Sequence, residues 1–189
     1  MIEALRKHIT DRLGGLPDNV DVVLPHFEEL NTKRGDFLLQ PGEVCKHIYF
    51  VVEGCLQVYV TDNSGAESTR EFYIEDQWCT DIFGFQNKVP STEFIRCVEP
   101  CKLLRIHYDS FQQLEASVPQ FASIYKQILE VSYNNTVYRV NTLTSMDALE
   151  RIRWMMENKP KIMSRLSSKL IASYLGISAE TLTRLKPKI

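Results

Sequence analysis

SSKLIASYLGISAETLTRLK, Ser167–Lys186, carries the tightest set of local constraints in this chain. Ile171 and Leu175 lie four apart, on one face of a helix. Gly176 follows, and without a Cβ it permits a sharp turn. Ile177 plugs the corner. Ser178 is a good N-cap for a second helix, and Thr181 stands at the third position after it. Leu182 and Leu185 turn the second helix's apolar face back onto the first, and Ala172 is small enough for the two to cross closely. Two short helices joined at a steep angle need all of these features at once. A plain helical hairpin with a charged face is the competing reading. The joint placement of Ala172, Gly176, Ile177, Leu182 and Leu185 favours the angled pair.

Charge supplies an independent indication. Residues 151–189 hold nine basic residues (Arg151, Arg153, Lys159, Lys161, Arg165, Lys169, Arg184, Lys186, Lys188) against Glu157 and Glu180. The remainder carries 13 basic against 22 acidic residues, so a net charge of −2 hides a basic end on an acidic body. A basic segment of this kind points to a polyanion. A helix-turn-helix lays its second helix in the major groove of double-stranded DNA. The outward residues there would be Ser178, Ala179, Glu180, Thr183 and Arg184. Arg184 suits guanine or a phosphate, and Glu180 suits a cytosine amino group. Ser168 and Thr181 would reach phosphates from helix starts, with Lys169, Lys186 and Lys188 adding positive charge around them.

Upstream of this segment the pattern is a long helix. Pro119 suits a first helical turn, and Phe121, Ile124, Ile128, Val131, Asn135, Tyr138 and Thr142 step by three and four. About 25 residues at ~1.5 Å each would span nearly 40 Å. Two readings of this stripe stand open. The favoured one is a homodimer seam at heptad spacing, with Asn135 setting register or facing water. The other is packing onto the chain's own β domain. A shorter helix capped by Asp109 is expected before it, and Ala148–Asn158 after it, closed by Lys159-Pro160.

Between Gly35 and Ile106 the texture is β. Short runs at Phe37–Gln40, His47–Val52, Leu56–Thr61, Thr69–Ile74, Glu93–Val98 and Lys102–Ile106 are separated by turn signals such as Pro41-Gly42 and Asp62-Asn63-Ser64-Gly65. Many short strands suggest an antiparallel roll. At the start, Ile2, Leu5, Ile9 and Leu13 predict a helix ended by Gly14-Gly15, with a second over about residues 18–30.

Composition excludes several classes. Hydrophobic residues make up 44% and charged residues 24%, which allows an ordinary packed core. No run of about 18 apolar residues suggests a membrane span. The first residues lack the apolar region of an export signal, so a cytoplasmic location is expected. Five cysteines include no C-x-x-C pair, which argues against a disulfide framework or a zinc site. Cys97 and Cys101 lie in a stretch that reads as strand, so five reduced, buried thiols are expected. The four histidines form no H-x-H pair, and no nucleophile elbow or phosphate-cradling glycine loop is present. No catalytic or metal-ligating set is expected, and an enzyme is not.

Along nearly its whole length the chain resembles the CRP/FNR family of bacterial regulators. QPGE (Gln40–Glu43), YFVVEGCLQVYV (Tyr49–Val60) and NSGAE (Asn63–Glu67) are similar to that family's strand and turn signatures, and IASYLGISAETLTR (Ile171–Arg184) to its DNA-reading unit. The resemblance implies a cyclic nucleotide-binding-like roll, a homodimer and a palindromic operator, and it allows contact with RNA polymerase. It also places the ligand pocket at Thr80-Asp81 and Ser91-Thr92, with Arg96 on the following strand. Relatives that bind cyclic nucleotides carry Gly-Glu and Arg-Ser or Arg-Thr at those two places. Ser91 has no charge to neutralise a phosphate, so tight cyclic AMP binding is not expected. An iron–sulfur centre built from N-terminal cysteines is not expected either, because the first cysteine is Cys45. Ala179 stands where relatives often carry a base-reading Arg, and no wing follows Pro187 in this sequence.

The fold class expected is therefore α+β: an antiparallel β-roll of the double-stranded β-helix type, a long dimerisation helix and a small helix-turn-helix domain. The divisions expected are 1–112, 113–144 and 145–189. The function expected is a dimeric DNA-binding transcription regulator of unknown effector and no certain cofactor. The alternative is a ligand-binding or interaction module of the same fold that no longer binds DNA.

Overall fold

The computed structural model describes residues 1–13 and 20–188, apart from the side chains of Leu13, Gln120 and Lys188. Two units divide the chain: Met1–Val58 with Tyr73–Val131, and Tyr59–Phe72 with Ser132–Ile189.

The first unit is the roll. Its strands are β1 (Glu28–Thr32), β2 (Phe37–Leu39), β3 (His47–Glu53), the start of β4 (Leu56–Thr61), β6 (Trp78–Cys79), β7 (Phe94–Cys97) and β8 (Cys101–His107); β5 (Glu67–Tyr73) lies almost wholly in the other unit. The strand orders are β1-β8-β3-β6 and β2-β7-β4-β5. β8 pairs antiparallel with both β3 (Phe50↔Leu104) and β1 (Leu30↔Leu103). Phe50, Leu56, Ile95, Leu103 and Leu104 are wholly buried, and burying each contributes about 1.5–3 kcal/mol. Gly54 turns β3 into β4 at φ +106°, where a Cβ would lie 2.6 Å from the Pro100 carbonyl oxygen, so only glycine fits.

Helices close the roll. α1 (Ile2–Leu13) buries Leu5 and Ile9. It also brings His8 to Trp78, whose Nε1–H donates to His8 Nε2 at 3.0 Å. Burial lowers the His8 imidazole to about 4, so the ring is neutral and free to accept that bond. α4 (Tyr108–Ser117) inserts Phe111 and Leu114. α5 (Pro119–Ser145) adds Phe121, Ile124 and Tyr125 to the same core, with Phe121 and Tyr125 stacked edge-on against Phe111.

Several local expectations are corrected. The expected helix over 18–30 is only α2 (Val20–Val23) and a 3-10 turn, and then the chain enters β1. The acidic, polar sequence of β1 hides a strand held by pairing with β8, where Glu28 meets Arg105 at 2.8 Å. Residues 14–19, with the expected Gly14-Gly15 stop, lie outside the described residues. The cap of α4 is His107, whose ring accepts from the Asp109 N–H, rather than Asp109. α3 (Ile82–Asn87) and β6 fall where no element was expected.

The second unit is helical apart from the Tyr59–Phe72 hairpin. Asp147 and Glu150 form a capping box that starts α6 (Ala148–Asn158). Lys159-Pro160 ends that helix, and Pro160 also opens another, α7 (Pro160–Arg165), because a proline is tolerated in a first turn. Then come α8 (Ser168–Leu175) and α9 (Ala179–Leu185). Ile152, Met155, Ile162, Met163, Ile171, Ala172, Leu175 and Leu182 form this unit's buried apolar interior.

Candidate nucleic-acid interface

The α8–turn–α9 segment is built as its sequence requires. Gly176 takes φ +64° and the Ile177 N–H donates to the Ala172 carbonyl at 3.1 Å, closing α8 in a left-handed cap. Ser178 then starts α9, its hydroxyl oxygen accepting from the Thr181 N–H at 3.1 Å. Leu182 is buried and Ile177 half-buried at the corner. Arg151, from α6, reaches the turn and donates to the Leu175 carbonyl at 2.7 Å. That contact joins residues 24 apart, and nothing in the local sequence signalled it.

Among the residues expected to face DNA, Ser168, Lys169, Ser178, Glu180, Thr183, Arg184 and Lys186 are exposed. Glu180, Thr183 and Arg184 share one face of α9 at i, i+3 and i+4. The Glu180 carboxyl is held below its usual range by its own backbone amide and the Ser178 hydroxyl, so it is an anion on that face. Thr183 donates back to the Ala179 carbonyl at 2.9 Å, which leaves its hydroxyl oxygen to accept. Ala179 and Thr181 are half-buried. The Lys188 side chain lies outside the described residues.

Four of the five residues expected at a ligand pocket, Thr80, Asp81, Ser91 and Arg96, make side-chain hydrogen bonds within the protein. Thr80 is buried and donates to the His47 carbonyl at 3.0 Å. Asp81 is buried at the N-cap of α3, accepting from the Gly84 N–H at 3.0 Å. Its carboxylate stands so close to Gly84 that an added Cβ would lie 2.3 Å away. Ser91 is buried, its hydroxyl oxygen accepting from the Glu93 N–H at 3.0 Å while its backbone exchanges bonds with Gly42 and Glu43 of the QPGE turn. Thr92 is exposed, and Arg96 is half-buried with its guanidinium on Gln57 Oε1 at 2.7 Å. All five cysteines are buried thiols outside any disulfide. Among the described residues, no group of three or more His, Cys, Asp or Glu is placed to hold a metal ion, and no helix is long and apolar enough to cross a membrane.

The expected seam on α5 splits in two. Phe121 and Ile124 are spent on the chain's own core, and Ile128 packs partly against it, because the roll presents Phe111 directly opposite. Val131 and Tyr138 are exposed and Asn135 is half-buried. Exposed Tyr133, Val137 and Val140 add a second apolar row at spacings of four and three, which the sequence reading did not single out.

Residues 29–117 match the cyclic nucleotide-binding domain family. The chain is 23% identical over 158 residues to the cAMP-activated global transcriptional regulator CRP of Pasteurella multocida, covering 78% of this chain and 76% of that one. To the corresponding protein of Salmonella typhimurium it is 22% identical, at 78% and 75% coverage. In fold it is similar to FixK2 of Bradyrhizobium japonicum, with a TM-score of 0.75 at 15% identity over 86% of this chain and 83% of that one. The c-di-GMP responsive global regulator CLP of Xanthomonas campestris gives a TM-score of 0.70 at 19% identity, over 90% and 91%. A roll of this kind, followed by a long helix and a helix-turn-helix, is the order of elements that these comparisons match. In sequence and in fold the chain is similar to transcription regulators of the CRP/FNR type.

Proposed function

We propose that this chain is a cytoplasmic, homodimeric regulator that reads a palindromic DNA site with α9. The observation that carries this reading is the exposed Glu180–Thr183–Arg184 face on the second helix of a well-capped helix-turn-helix, within the basic end of the chain. Two such helices related by a two-fold axis would meet half-sites about one helical turn apart. The partner helix is supplied by a second copy along the exposed second half of α5. Val131–Met146 holds one charged residue, Arg139, and that side chain turns inward onto the Thr69 carbonyl. An exposed helical face without charge is poorly suited to water and well suited to its own copy.

Cyclic AMP is not the effector in this reading. Ser91 offers no positive charge, and Asp81 Oδ1 and Ser91 Oγ each accept from a backbone N–H group. RNA polymerase is a further partner that the family suggests.

The test is a mobility shift with the chain's own upstream DNA at low salt, with and without cell extract, for wild type and Arg184→Ala. A shift lost in the variant supports the reading. A wild type that moves no DNA at low salt sinks it and leaves a ligand-binding or interaction module of the same fold.

A further inference from the structure

Residues Tyr59–Phe72 belong to the helical unit, although in sequence they stand in the middle of the roll's strands. β5 is the last strand in its sheet's order, so one of its edges faces away from β4. Side chains of two helices take backbone groups there. The Ser173 hydroxyl of α8 donates to the Glu67 carbonyl at 2.8 Å and accepts from the Thr69 N–H at 3.0 Å. It also meets Thr69 Oγ1 at 2.8 Å. A serine hydroxyl has one donor and two lone pairs, so Thr69 must be the donor in that last bond, and Ser173 is saturated by the hairpin. Arg139 of α5 donates to the Thr69 carbonyl at 3.2 Å.

The next residue along α8 extends the grip. Tyr174 is 2% exposed and stacks on Phe72 with ring centroids 5.7 Å apart. The Arg139 guanidinium lies 4.2 Å over the same ring. Lys159, between α6 and α7, donates to Glu71 at 2.9 Å, and both side chains of this pair are largely buried. Desolvated hydrogen bonds and ion pairs of this kind are sensitive to the loss of either partner.

We infer that the β4–β5 hairpin is the positioning element of the helix-turn-helix: Thr69 fixes α8 through Ser173, Glu71 fixes the α6–α7 junction before it through Lys159, and together they fix how α9 is presented. This deepens the DNA-binding reading and rests on it. Ser173 and Tyr174 lie one turn before Gly176, so a shift of α8 on the hairpin carries the turn and α9 with it.

The experiment selects a preferred duplex with the wild-type chain from a random-sequence library. Ser173→Ala, Thr69→Val and Glu71→Gln are then titrated against that duplex and a shuffled one, and amide exchange is followed in Ala179–Leu185. Positioning predicts that each variant loses roughly tenfold on the selected duplex and less than about twofold on the shuffled one, which phosphate contacts hold. Exchange in α9 rises by about fivefold or more. The charge reversal Glu71→Lys with Lys159→Glu restores both readouts. Equal losses on both duplexes, or unchanged exchange in α9 in all three variants, overturn the inference. A wild type that selects no duplex sinks the DNA reading, and exchange in α9 then decides the hairpin's role alone.

Discussion

Replacing Gly176 by alanine tests the corner on which the DNA-reading geometry depends. The residue sits at φ +64°, and an L side chain in this left-handed region costs about 1–2 kcal/mol. The added methyl would also stand 3.1 Å from Leu143 Cδ2 and 3.2 Å from the Arg151 guanidinium. Arg151 cannot yield freely, because it holds the Leu175 carbonyl at 2.7 Å. Weakening that charged hydrogen bond adds about 1 kcal/mol, for a total of about 2–3 kcal/mol. At ~1.4 kcal/mol per factor of ten, opening of the α8–α9 pair becomes roughly 30- to 140-fold more frequent. Native-state amide exchange of residues 167–186 measures this directly, with β3 and β8 of the roll as an internal control. Exchange within about threefold of wild type would show that the turn tolerates a side chain and that the strain argument is wrong.

Four further outcomes are expected. Arg184→Ala should weaken duplex binding about tenfold and reduce the slope of affinity against salt by about one, read by anisotropy titration at several salt concentrations. Tyr133→Glu together with Val137→Glu should leave the circular dichroism spectrum intact and yield monomers in sedimentation; dimers that persist would move the seam elsewhere. Cyclic AMP at millimolar concentration should not raise the melting temperature, whereas a clear rise would reinstate the pocket that Ser91 argues against. His8, lowered to about 4 from an ordinary 6.5, makes stability fall with pH. The unfolded chain takes up a proton that the fold refuses, so the contribution is whole above about pH 6.5 and drains as pH drops toward 4. Discounted for solvent screening, this amounts to about 2 kcal/mol. His8→Gln keeps an acceptor for Trp78 and should shallow that pH dependence in thermal melts without abolishing it, since burial also lowers His47 to about 4.

Local sequence features were enough to specify the helix-turn-helix, the long helix and most of the roll strands. Each rests on features a few residues apart: the left-handed Gly176, the Ser178 cap on Thr181, the three-and-four spacing along α5, the short β-prone runs of β3 and β8 bounded by turn signals. Such signals are written locally because one turn of helix or one strand pair expresses them. The rest came from long-range packing. β1 looks like a charged loop until β8 supplies Arg105 opposite Glu28. The stripe on α5 could not say which of its residues the roll would consume until Phe111 met Phe121. Asp81 and Ser91 carry pocket chemistry in sequence, but folding spends it on Gly84 and Glu93. The hairpin's seat on α8 joins Thr69 to Ser173 across 104 residues. A contact of that span has no periodicity and no spacing rule; it exists only once two separately specified elements have been brought to the same place.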